Sequence, residues 1–518
     1  MKARLLIITL LILNCVINAQ NILISTVGNP NEPSIYMDPK NPRYIVGGAN
    51  ISSMYYSQDT GRTWTRKNMT SSYGVWGDPS IICDTAGNFY YFHLSNPASP
   101  GYWIDRIVCQ KSLDKGSTWS NGSFTGLTVP KNQDKQWPAV DRSNNNMYIS
   151  WTEFDNYGSA TNTDSSRILF SRSTDAGITW STPVKINSLS GDCIDSDNTV
   201  EGAVPAVGPN GEVYVSWVGS NGIIFDRSTD QGNTWLNNDI LVTTVPGGWD
   251  FMVSGTNRCN GLPVTMCDTS GGANNGNIYI NWSDQRNGST DTDVWLVRST
   301  NGGNTWSAPI KVNNDNTNTH QFFTWACVDQ SNGDLYFVFY DRRNYTDDRT
   351  DVYIAKSSDG GNTFTNWKIS SSSFLPTNAI FFGDYTNITA HNGIVRPIWT
   401  RMQAGALSVW TDISINNGNY IYTSVNENNA FDFNADNYPN PGTDEFYVSY
   451  KLRYDAPVSI ELFNSTGQNV VVCMKNERKE MGKHIETLNA KELGLVPGIY
   501  FIKLSIDGKV KLLKHVVE

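Results

Sequence analysis

Carboxylates and arginines recur at matching places along this chain, and their types suit acid–base work and the gripping of polar groups. One set precedes short apolar strands: Glu32, Asp78, Gln136, Glu201, Asn260, Gln321 and Asp384. A second set follows strands rich in Tyr and Trp: His93, Glu153, Asp284, Arg286, Asp341, Arg342, Arg343 and Arg401. Trp-Ser-Asp284-Gln-Arg286-Asn and Tyr-Asp341-Arg342-Arg343-Asn occupy equivalent positions. An arginine can hold a carboxylate through two parallel hydrogen bonds. Paired carboxyl groups can divide the work of acid from that of base or nucleophile. Asp-x-Arg pairs of this kind also make structural ion pairs, so both readings stay open. Trp151, Trp217, Trp282 and Trp399 could offer ring faces to a sugar. They recur at one register, which equally suits packing between sheets.

The elements that must position these groups are read from two repeats. Ser-x-Asp-x-Gly-x-Thr-Trp occurs at 57–64, 112–119, 173–180 and 228–235, then at 299–306 with Asn301 and at 357–364 with Phe364. Its acidic positions are Asp59, Asp114, Asp175, Asp230, Asn301 and Asp359, in steps of 55, 61, 55, 71 and 58 residues. A phrase at such a period marks one supersecondary unit used repeatedly. The carboxylate and hydroxyls fix a tight turn through backbone N–H groups, Gly supplies a positive φ, and the aromatic opens the next strand. A second phrase, with Tyr and then Trp three residues later, precedes each box at 147–151, 213–217 and 278–282. Degenerate copies lie at 43–46, 89–93 and 335–339, and a seventh without a box at 394–399. These are strand patterns, and no sustained helical period runs through residues 21–425.

The boxed phrase resembles the Asp-box of the sialidase-like, BNR-repeat β-propellers. That resemblance implies an all-β fold with the boxes in a structural role, away from the active face. Seven modules predict a seven-bladed propeller, with six blades as the alternative. The N-terminal segment 21–26 would complete the seventh blade and remove an exposed edge. The resemblance also implies a central funnel where ligands sit. By chain order, Tyr385 would be the nucleophile, Glu201 its activating base and Asp78 the acid/base. Arg286, Arg342 and Arg401 would bind a substrate carboxylate, with Asp284, Asp341 and Glu153 around them. True sialidases carry Arg-Ile-Pro ahead of the first box, where this chain has Asn31-Glu32-Pro33-Ser34-Ile35. Two expectations therefore stand together: a glycoside hydrolase of sialidase-like type acting on a glycan or glycoprotein, and a non-catalytic propeller that binds glycan or protein. A different glycanase or a lyase on the same scaffold is a third.

Composition and the chain ends bear on the compartment. The 518 residues carry 39 basic and 49 acidic side chains, a net −10, which argues against nucleic acid as a partner. Residues 1–20 read as a signal peptide, with Lys2 and Arg4, an apolar run from Leu5 to Leu13 and small residues near 18–20. That run is too short to span a bilayer, and no membrane-spanning segment is expected in the mature chain. Cofactors are not expected. Asp192, Asp195, Asp197, Asp291 and Asp293 could bind calcium or could be solvated loop residues. Cys193 or Cys267 could pair with Cys259. After a polar linker at 426–437, residues 438–518 alternate as a small β-sandwich. Tyr438-Pro-Asn-Pro441, Gly467-Gln468, Pro497-Gly498-Ile-Tyr500-Phe501 and Lys514-x-Val-Val517 resemble the type A C-terminal sorting domain of the type IX secretion system. This resemblance implies a Bacteroidetes-type bacterium, passage through the periplasm, that secretion machinery as partner, and release or retention at the outer surface.

Overall fold

The computed structural model describes residues 20–98, 100–416, 419–420, 435–452, 455–506 and 509–518. The expected leader, apart from Gln20, and the expected linker up to residue 434 lie outside the described residues. The chain divides into two compact units, Met1–Tyr422 and Thr423–Glu518. All the regular structure among the described residues is β.

In the first unit, seven four-stranded antiparallel sheets follow one another among the described residues. Their first strands are Ser34–Met37, Gly77–Cys83, Asn132–Val140, Glu201–Val207, Val264–Cys267, Gln321–Asp329 and Asn387–His391. Each first strand touches the first strand of the next sheet, and the seventh touches the first. The seventh sheet takes its fourth strand from the other end of the chain: Asn21–Ser25 pairs with Ala406–Asp412. Asn21 Nδ2 donates to Asp412 Oδ2 at 2.9 Å across this seam. The Tyr–Trp phrase forms second strands, such as Met147–Phe154 and Val213–Gly219, that are buried along their whole length. Trp151, Trp217, Trp282 and Trp399 lie at the sheet interfaces with no more than 1% exposure, so they offer no face to a ligand.

The boxed phrase turns the chain from the third strand to the fourth. In the first copy Asp59 accepts from Thr63 N and Thr63 Oγ1, and Ser57 Oγ accepts from Gly61 N at 2.9 Å. The other copies repeat these bonds, and Asn301 accepts from Thr305 N at 3.1 Å in place of the carboxylate. The residue after the acid and the glycine are both left-handed, as at Gln231 (φ 60) and Gly232 (φ 84). At Gly232 a Cβ would stand 2.4 Å from the ring of Phe170.

The second unit has a three-stranded sheet, Ala435–Tyr438, Glu445–Leu452 and Gly482–Asn489. A four-stranded sheet holds Asn469–Lys479, Ala456–Asn464, Gly498–Ile506 and Lys509–Val517. Alternate residues of both, including Phe446, Val448, Ile460, Leu462, Ile502 and Leu504, share one apolar core. All seven described cysteines are free, so neither Cys193–Cys259 nor Cys259–Cys267 is bonded. All three are buried, Cys259 and Cys267 in two different apolar clusters.

Gly232→Ala adds both a left-handed strain and a clash with Phe170, and should destabilise the first unit by roughly 3 kcal/mol. Denaturant unfolding of wild type and variant measures this directly.

Candidate functional site

Bulges at the start of the first strands build the site. In the second, third, fourth and sixth sheets the pairing skips between Gly77 and Ser80, Asp134 and Trp137, Glu201 and Val204, and Phe322 and Trp325. A bulge re-aims side chains locally. Inside each skip lies a left-handed residue: Asp78 (φ 49), Lys135 (φ 52), Gly202 (φ 75) and Phe323 (φ 49). Glu32 (φ 50) and Gly383 (φ 104) stand at the same place before the first and seventh sheets. Bulky residues in this conformation are strained, and such strain gathers at functional sites. Two residues further on come Trp137, Trp325 and Tyr385. Their rings meet, with centroids 4.2 Å apart for Trp137–Trp325 and 5.0 Å for Trp137–Tyr385.

Charged groups from different sheets converge over these rings. Lys135 Nζ lies 2.5 Å from Asp384, 3.6 Å from Asp78 and 3.8 Å from Glu32. Arg258 grips both oxygens of Asp384 and donates a third bond to Asp195. Asp195 also accepts from Trp249 Nε1 and from the Tyr157 hydroxyl, each at 2.9 Å. Asn50 joins two acids, donating to Glu32 and accepting from the backbone N of Asp78. Above this network opens a cavity of about 390 Å³, lined by Glu32, Asp78, Lys135, Arg258, Trp76 and Trp103 among others.

Burial sets the protonation of these groups. It pushes the Glu32 carboxyl well above its ordinary range, and the Asp78 charge adds to this. Glu201 is raised likewise, by burial and then by Asp195. Asp134 rises to about 7 through burial. Burial opposes the charge on Asp384 too, but Arg258 and Lys135 outweigh it and hold the carboxylate ionised. Burial likewise works against the Lys135 ammonium, and Asp384, Asp78 and Glu32 overcome it. The phenol of Tyr385 is raised well above 10 by burial and then by Asp78.

The expected site residues divide into two groups. Asp78 joins the Lys135 network, and the Tyr385 ring lies beneath it. Tyr385 is 3% exposed and its hydroxyl has no hydrogen-bond partner among the described residues. Neither carboxyl oxygen of the buried Glu201 has one. The second group is held locally. Arg286 pairs with Asp284 and covers the Trp295 ring at 4.7 Å. Arg342 binds Asp348 at 3.1 Å and Thr350. Arg401 donates to Ser372 at 2.6 Å and covers Trp410. Asp341 pairs with Arg343, and Glu153 with Arg167 and Lys131. Among the bonds of the described residues, Arg286, Arg342 and Arg401 share no partner with one another or with Asp384. In the acidic loops considered for calcium, Asp195 is bound to Arg258 and Asp293 lies 3.5 Å from Lys311. No cluster of three or more metal-ligating side chains occurs among the described residues.

Sequence reasoning missed Lys135, Arg258, Trp76, Trp103 and Tyr157. Lys135 was within reach, because it precedes Gln136-Trp137 as Asp78 precedes Pro79-Ser80. Arg258 lies in the long insertion before the fifth sheet, beside the Asp250–Phe251/Cys259–Asn260 hairpin, where no repeat marks it.

Residues 436–518 match the family model described as secretion system C-terminal sorting domain, which indicates export to the cell surface or beyond. No curated protein matches the chain. Solved structures similar in fold include a protein of unknown function from Dyadobacter fermentans, at 12% identity over 64% of this chain and 96% of that one, with a TM-score of 0.44. The Hadza microbial sialidase Hz136 is 14% identical over 72% and 74%, with a TM-score of 0.41. An ulvan lyase of polysaccharide lyase family PL25 is 13% identical over 76% and 94%, with a TM-score of 0.44. At these values the likeness carries no argument about activity.

Two measurements test the site. Arg258→Ala leaves Asp384 and Asp195 short of a partner in a buried place and should cost about 3 kcal/mol. Adding Asp384→Asn should restore part of that loss in a double-mutant cycle. Folded Asp134 keeps its proton up to about pH 7, whereas the unfolded carboxyl loses its own near pH 4. Its contribution is therefore full below about pH 4 and is lost as pH rises through 7. Asp134→Asn should flatten that part of the stability–pH curve.

Proposed function

We propose that this is an exported carbohydrate-recognising protein, with a seven-bladed β-propeller over 21–425 and a sorting domain over 438–518 that is read by type IX secretion machinery. Its ligand would sit in the funnel formed by the bulged first strands. The observation that carries this reading is the state of the funnel's cations. Lys135 and Arg258 are already bound to carboxylates, and six acids, Glu32, Asp78, Asp134, Asp195, Glu201 and Asp384, stand around them. A sialoside or other acidic sugar would find no free cation there. A neutral, hydroxyl-rich sugar would find an acceptor in Asp78 and a donor in Lys135. Charge-assisted hydrogen bonds of this kind give a sugar site its orientation.

A sialidase-like hydrolase is the second reading, and it would need the buried Tyr385 hydroxyl and Glu201 carboxyl, which make no hydrogen bond to each other among the described residues, to come together. In it Asp78 would serve as acid/base, Tyr385 as nucleophile and Glu201 as its activating base. Arg286, Arg342 and Arg401 would have to leave their present partners to hold a substrate carboxylate.

Calorimetry of the full chain against neutral and sialylated oligosaccharides separates the two. We expect binding of neutral sugars, weakened about tenfold by Asp78→Asn, with sialosides neither bound nor cleaved. Sialic acid release that disappears in Tyr385→Phe would overturn this in favour of the hydrolase.

A further inference from the structure

We propose that the open side of the funnel is a subsite for a neutral oligosaccharide chain, with Trp76 and Trp103 as its stacking platform. The proposal rests on the sugar-recognition reading above and names the form in which the sugar arrives. The chain has 17 tryptophans. Among the described residues, only Trp76 and Trp103 of these are exposed, at 38% and 37%, and both line the same cavity as Glu32, Asp78 and Lys135. Elsewhere the tryptophans are wholly or partly buried. Large rings left open beside convergent polar groups mark a place where a ligand packs.

The platform is built and held in shape. The two indoles meet edge to face at 6.0 Å, and Trp103 meets Tyr157 in the same way at 5.6 Å. The Tyr157 hydroxyl bonds Asp195, which binds Arg258, so the aromatic wall is tied to the charged floor. Asn132 fixes the loop from both sides, donating to Trp103 O at 3.2 Å and accepting from Tyr157 N at 3.1 Å. Trp76 N donates to Leu94 O at 2.9 Å. A wall already ordered in the free protein loses little entropy on binding.

The chemistry selects the ligand. One face of a pyranose carries C–H groups and packs on an aromatic ring, while its hydroxyls turn to polar partners. With the first sugar over Asp78 and Lys135, the next residues of the chain lie along the indoles. Affinity then grows with chain length. An acidic polysaccharide gains nothing here, since the acids outnumber the two paired cations.

The test is calorimetry on the full chain with neutral gluco-, xylo-, manno- and arabino-oligosaccharides from disaccharide to hexasaccharide. Sialyllactose and oligogalacturonate serve as anionic probes. At least one neutral series should tighten by about tenfold with length. Trp103→Ala and Trp76→Ala should abolish that gain, so that hexasaccharide binds no more tightly than disaccharide. Trp103→Phe should keep the gain, which guards against a loss caused by misfolding. A length dependence that survives both alanine variants would sink the subsite and leave the funnel reading standing. Tighter binding of an anionic probe would refute the ligand class. Absence of any oligosaccharide binding would overturn the subsite together with the reading on which it rests.

Discussion

The carboxylate of Asp384 is the interaction on which the centre of the first unit depends. It holds Lys135 from the third sheet and Arg258 from the insertion before the fifth, and it stands itself before the seventh. Through Lys135 it reaches Asp78 and Glu32, at the openings of the second and first sheets. Ions this deeply placed gain little net stability, because desolvation offsets most of their attraction. What they fix is registration. Sheets far apart in sequence must arrive at one point with complementary charge, or a carboxylate is stranded. Beneath them the Trp137, Trp325 and Tyr385 rings close the same point with apolar surface.

This arrangement explains how one small region can be acidic in composition and nearly balanced in charge. Glu32, Asp134 and Glu201 are driven toward the protonated form by burial, whereas Asp384 is kept ionised by its two cations. The funnel thus offers hydrogen-bonding groups of mixed character and little free charge.

Much of the fold was legible in the sequence, because its signals are local. The boxed turn needs only its own Ser, Asp, Gly and Thr, and each copy makes nearly the same bonds. The second strands announce themselves through Tyr and Trp at fixed spacing. The candidate site was less legible, because it depends on bulges. Reading without the bulge singled out Gln136 in the third sheet, whereas the left-handed residue that reaches the centre is Lys135, one place earlier. Arg258 belongs to no repeat at all. Arg286 and Arg342 carry the right chemistry for a ligand, yet their partners lie within a few residues along the chain, at Asp284 and Asp348. A pairing two to six residues away around a strand end leaves no trace in the sequence that separates it from a free functional group.

The seam between Asn21–Ser25 and Ala406–Asp412 reaches beyond architecture. The seventh sheet cannot be completed until nearly the whole of the first unit has been made, since its outer strand is the first to emerge and its partner among the last. Contacts of such sequence separation form slowly. A chain destined for export therefore carries its own delay: during synthesis the edge of Ala406–Asp412 does not yet exist, and the early strand has no mate. Closure then becomes a late event that joins the two ends of the unit once its last strands have been made.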